Sequence, residues 1–136
     1  GAELDGRVTL EDAGLGRMGS SKKVFIGDAL RRRPELMRDD RPQLVGIFPR
    51  DRSLTFNAGS ILCAESQVSG HGDGWITAVT HSPELGHWIG IGFIAGGQRA
   101  WEGKRVMSAD PVREANVEVE IVSPHMVDPE GERLHG

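Results

Sequence analysis

The side chains able to do chemistry are few and scattered. Five histidines stand at positions 71, 81, 87, 125 and 135. A metal centre favours pairs such as HxH or HxxxH on one element, with a carboxylate or thiolate alongside. No such pair occurs here, and His81 and His87 flank a Pro–Gly turn. They read as surface or turn histidines. The single cysteine, Cys63, lies in the apolar run Ile61–Ala64. It reads as a small buried hydrophobe, because a nucleophilic thiol needs an electropositive setting. Neither a GxSxG elbow nor an HExxH zinc motif is present. Gly90-x-Gly92 followed by Gly96–Gly97 imitates a dinucleotide loop. That loop needs its glycines at a strand-to-helix turn, with an acid about 20 residues on. Here they fall inside and just after one strand pattern, and a second strand pattern follows. A structural role is the better reading. Arg31–Arg32–Arg33 reads as a solvated helix end or a docking surface for an acidic partner or another domain. Trp75, Trp88 and Trp101 are candidates for core or interface packing.

The elements that must position these residues are mostly strands. The chain has 136 residues with 38% apolar residues and 19 glycines, enough for one modest core. The net charge of −4 argues against nucleic-acid binding, which depends on neutralising phosphates. A lone thiol, no signal peptide and no 18-residue apolar run predict a reducing, cytoplasmic setting with no membrane contact. The Gly–Ala start, without methionine, reads as a processed start or a piece of something longer.

Residues 1–19 read as an extended lead-in. The pattern predicts a short helix from Gly27–Asp28 through the three arginines, stopped at Pro34. Val24, Phe25, Ile26 and Leu30 would be its apolar anchors. Strand patterns then follow at 43–48, 60–65, 75–80, 88–95, 104–108 and 115–122. In the third strand, Trp75, Thr77 and Val79 should share one face. In the last, Val117, Val119 and Ile121 alternate with Glu118 and Glu120. Trp101 falls in an expected turn. Six short strands without crossover helices predict a mainly β fold. A small antiparallel β-barrel of about six strands with an N-terminal helical segment fits best, and a sandwich is the other possibility. Residues 1–40 would be the lead-in and short helix, and 41–136 the barrel domain.

Several stretches resemble a known family. LEDAGLGRMGSSKKVFIG, residues 10–27, resembles the GLGW…SKKKDFIGK stretch of the aminomethyltransferase (glycine cleavage T-protein) family. RPQLVGIFPRD, residues 41–51, is similar to that family's R-x-LVGL strand. Residues 77–106 resemble a narrower pattern, T-S-x-x-SPxLG followed by an apolar strand and GG-x-R-x-GE-x-V. The ending SPHMVDPEGERLHG, residues 123–136, resembles the extreme C-terminus of the α subunits of heterotetrameric sarcosine oxidases. The likeness runs from about residue 8 to the end.

The resemblance implies a C-terminal barrel domain from the tetrahydrofolate-binding half of such a subunit. The implied reaction is oxidative demethylation of sarcosine, with the one-carbon unit passed to tetrahydrofolate. FAD, FMN and NAD belong to the whole complex, and no cofactor is expected on this segment alone. The implied partners are the remainder of the alpha subunit and the other oxidase subunits. The family's folate-binding carboxylates lie upstream, so the isolated chain should be catalytically inert. The family's tryptophan in GLGW, near the pterin side, is replaced by Arg17. A guanidinium can stack on a ring or pair with a carboxylate. Arg17 is therefore the one candidate cofactor-binding residue, with a structural role as its other reading. Two further alternatives stay open: a relative acting on another N-methyl amine, or a non-catalytic interaction module.

Overall fold

The computed structural model describes residues 3–64 and 71–135. Glu65, expected at the end of the second strand, and Ser69–Gly70 of the following loop lie outside the described residues. Six strands form the body: β1 (Pro42–Pro49), β2 (Ile61–Ala64), β3 (Gly74–Ser82), β4 (His87–Ala95), β5 (Val106–Asp110) and β6 (Ala115–Val122). They close into a barrel in the order β1-β4-β3-β2-β5-β6. Each neighbouring pair is antiparallel, including β6 back onto β1. The expected fold class is what the chain adopts.

The core follows from alternation along the strands. Val45 and Ile47 of β1, Leu62 of β2, Ile76 of β3, Ile94 of β4, Val106 of β5, and Val119 and Ile121 of β6 point inward and pack together. Glu118 and Glu120, on the opposite face of β6, pair with Arg50 and Arg52 outside the barrel. At Gly92 of β4 the backbones approach closely. A Cβ there would overlap the Trp75 carbonyl oxygen and approach Ile47 Cδ1 to 3.1 Å. Glycine inside a strand serves such close approaches.

Three local expectations need correction. The register of β3 against β4 shifts between Ile76 and Ala78. The bulge breaks the period of two, so Val79 packs on the core while Trp75 stands largely outside. The fifth strand begins at Val106 rather than Lys104. Finally, Trp101 does not sit in a turn. Gly96, with φ of 74°, launches a one-turn helix, α2 (Gly97–Trp101). That helix carries the indole into the core, where Nε1 donates to the Ala95 carbonyl oxygen at 2.9 Å.

Ahead of the barrel, α1 (Asp28–Arg31) is a single turn between two 3-10 turns, Gly16–Met18 and Pro34–Leu36. Its expected apolar anchors are misassigned. Val24, Ile26 and Leu30 are exposed, and only Phe25 is partly covered. A helix of four residues has no continuous face to turn toward a core, and residues 24–26 lie before it. Charge holds this segment instead.

Candidate functional site

A cleft of about 630 Å³ opens where the lead-in, the start of β1, the β4–α2 turn and the segment after β6 meet. Glu11 and Gly14 bound it on the lead-in side, and Gln43 and Leu44 form its floor on β1. Arg99 of α2 and Pro124–His125 close the other sides.

The lead-in is folded against the barrel by its own turn chemistry. Thr9 N–H donates to Asp12 Oδ2 at 3.0 Å, and Asp12 N–H donates to Thr9 Oγ1 at 3.1 Å. This reciprocal pair is the logic of a capping box, with aspartate in the acidic position. Arg41 then clamps the buried Asp12 carboxylate through Nη2 at 2.6 Å and Nε at 3.2 Å. The same carboxylate holds the Arg41 guanidinium above its ordinary pKa, chiefly through that hydrogen bond. Leu44 N–H donates to the Asp12 carbonyl oxygen at 2.6 Å, which fixes the cleft floor to its wall.

The two ends of the chain meet at the cleft. Gly14 takes φ of 71°, and a Cβ there would press Pro124 Cγ at 3.2 Å. His125 Nε2 lies 3.2 Å from the Gly14 carbonyl oxygen. A carbonyl only accepts, so Nε2 carries the proton. On the outer side, Arg31 bridges Glu11 Oε1 at 2.7 Å and the buried Asp28 at 3.1 Å. Its guanidinium also covers the Phe25 ring, 5.2 Å from the centroid. Of the basic triplet, Arg31 is thus part of the framework, while Arg32 and Arg33 stay exposed.

The cleft has a mixed lining. Leu44, Pro124 and Ala100 give it apolar walls, and Gln43, Arg99 and Glu11 give it a polar edge. Among the described residues, no group of three or more His, Cys, Asp or Glu side chains is placed to hold a metal ion. Cys63 is buried in β2, and burial pushes its thiol up from the ordinary value. That is the reverse of what a nucleophile requires.

The other singled-out residues lie elsewhere. Arg17 is exposed on the first 3-10 turn, and its Nη1 donates to the Pro129 carbonyl oxygen at 3.2 Å. His81 packs edge-on to Trp88, and His87 edge-on to Phe48, along the β3–β4 hairpin and β1. Gly90 and Gly92 lie within β4, and Gly96–Gly97 lead into α2. Sequence reasoning missed Glu11, Gln43 and His125 as neighbours. Only the likeness of 10–27 and 123–136 to one family hinted that the two ends belong together.

No family model matches the chain. It is similar along its length to three sarcosine oxidase alpha subunits. The one from Rhizobium meliloti is 31% identical over 98% of this chain. Those from Corynebacterium sp. strains U-96 and P-1 are 35% and 34% identical over all of it. The chain spans 14% of the length of each of these relatives. Among solved structures, the glycine cleavage aminomethyltransferase T of Bartonella henselae superposes with a TM-score of 0.62. The match covers 89% of this chain and 32% of that one, at 21% identity, which establishes a shared fold.

Proposed function

We propose, from its kinship along the whole chain with sarcosine oxidase alpha subunits, that this chain is the C-terminal barrel domain of such a subunit. Residues 1–40 are then its lead-in and 41–136 the barrel. The reaction it serves is oxidative demethylation of sarcosine in the cytoplasm, with the one-carbon unit passed to tetrahydrofolate. The observation that carries this reading is the match over 98–100% of the chain to three proteins of that name.

The cleft fits one wall of a folate site. A pterin offers a flat ring with a hydrogen-bonding edge, and the cleft pairs apolar walls with Gln43 and Arg99. Glu11 and His125 already hold partners within the chain, so their part is to shape the wall. Tetrahydrofolate, when bound, supplies the amines that take up the one-carbon unit. This chain's residues hold the ring in place and keep water from the transfer path, which makes capture effectively intramolecular. Arg17 lies outside the cleft, against the Pro129 carbonyl oxygen, and the family likeness sets it toward the folate side. No residue of this chain is assigned to FAD, FMN or NAD, which belong with the other parts of the complex.

The test uses the intact oxidase with Gln43→Ala and Arg17→Ala. Sarcosine-dependent oxygen uptake should persist. The fraction of one-carbon units recovered on tetrahydrofolate should fall, with free formaldehyde rising to match. Unchanged recovery in Gln43→Ala would overturn the assignment of the cleft, and unchanged recovery in Arg17→Ala would overturn the part given to Arg17.

A further inference from the structure

Beside α1 lies an apolar groove of about 420 Å³ that nothing in the described chain fills. Phe25, Leu36, Val8 and Leu10 line it, and Ile26 and Leu30 stand at its edge. Ile26 is 104% exposed, and Val24, two residues before it, is 93% exposed. Single exposed apolar residues are ordinary on protein surfaces. Fully exposed branched side chains beside an apolar groove mark a contact surface.

The turn that follows these residues is pinned by charge. Asp28 is buried and receives hydrogen bonds from Arg31 and Arg32, while Arg31 reaches on to Glu11. The groove is open in the chain on its own. Its surroundings are basic. Arg33 lines it, Lys22 and Lys23 precede it, and none of the three forms an ion pair among the described residues.

We propose that this groove seats another part of the same polypeptide, outside these 136 residues. The occupant is a segment with large apolar side chains flanked by carboxylates. The inference rests on the functional reading above. Relatives carry the matched region as 14% of their length, so a chain of that kind has ample covalently attached polypeptide to cover the groove. The basic rim selects an acidic occupant. A second copy seated groove to groove would set Lys22, Lys23 and Arg33 against their own equivalents.

The test compares Ile26→Cys in the 136-residue chain and in the intact oxidase. Alkylation by N-ethylmaleimide is read at residue 26 by peptide mass spectrometry, and Cys63 is shielded by burial. In the intact oxidase, labelling should slow by about tenfold or more, as for a site open less than a tenth of the time. Adding Lys23→Glu and Arg33→Glu should restore much of the labelling while oxidase activity persists. Equal labelling rates in the active oxidase and the short chain would overturn the docking proposal and leave the functional reading intact. Protection that appears in the short chain with rising concentration would assign the groove to a second copy and overturn it as well. A parent gene that encodes no upstream polypeptide would overturn the functional reading itself.

Discussion

Asp12 and Arg41 meet across 29 residues of sequence, and the contact decides how the lead-in sits on the barrel. Asp12 is 4% exposed, so its charge depends on the guanidinium that faces it. Removing one member of such a pair leaves an uncompensated charge. Arg41→Ala should destabilise the chain by about 3 kcal/mol, read as a lower midpoint in urea unfolding. Asp12→Asn, which keeps the shape and part of the hydrogen bonding, should cost about half as much. Asp110 gives a pH signature. The hydrogen bond from Arg113 holds its carboxyl below the usual carboxylate range. A carboxyl depressed by folding stabilises at neutral pH, and that contribution is lost as pH falls below about 4. Asp110→Asn should therefore narrow the stability gap between pH 6 and pH 2, measured by unfolding at each pH. At this scale the sequence was least legible. Arg31 looked like a surface cation because its partners, Glu11 and Asp28, lie on another loop and one turn back. His125 looked incidental because Gly14 is 111 residues away.

At the scale of elements, alternation was a sound guide wherever one face is buried and the other wet. β6 shows this best: Val117, Val119 and Ile121 face the core, and its glutamates face arginines outside. β3 misled because a bulge leaves no mark in a run of Ile, Thr, Ala and Val. The helix α2 was invisible for a different reason. Five residues are too few to display a 3.6-residue period, and Gly96–Gly97 is as good a turn signal as a helix start. Yet α2 delivers Trp101 to the core. Trp101→Ala should cost about 3–5 kcal/mol, seen as a large drop in the thermal midpoint. Trp101→Phe keeps most of the packing and loses the bond to Ala95, so about 1 kcal/mol is expected on that account.

Taken whole, the molecule has a packed barrel, a cleft where its two ends meet, a separate apolar groove beside α1, and no assembled metal centre among its described residues. The barrel was legible from strand count and spacing. The cleft was not, because its walls come from both ends of the chain. The purified chain should show no sarcosine-dependent oxygen uptake, and tetrahydrofolate should bind it no tighter than about millimolar in a calorimetric titration. A tighter constant would mean that the cleft is a complete site.

The return of β6 onto β1 has a consequence for how such a unit behaves among neighbours. A ring of strands has little loose hem, so few backbone hydrogen-bonding groups are left for an outside chain to be stitched onto. Whatever it adheres to is gripped mainly by side chains. A partner can therefore slide, turn or let go while the ring itself stays knitted.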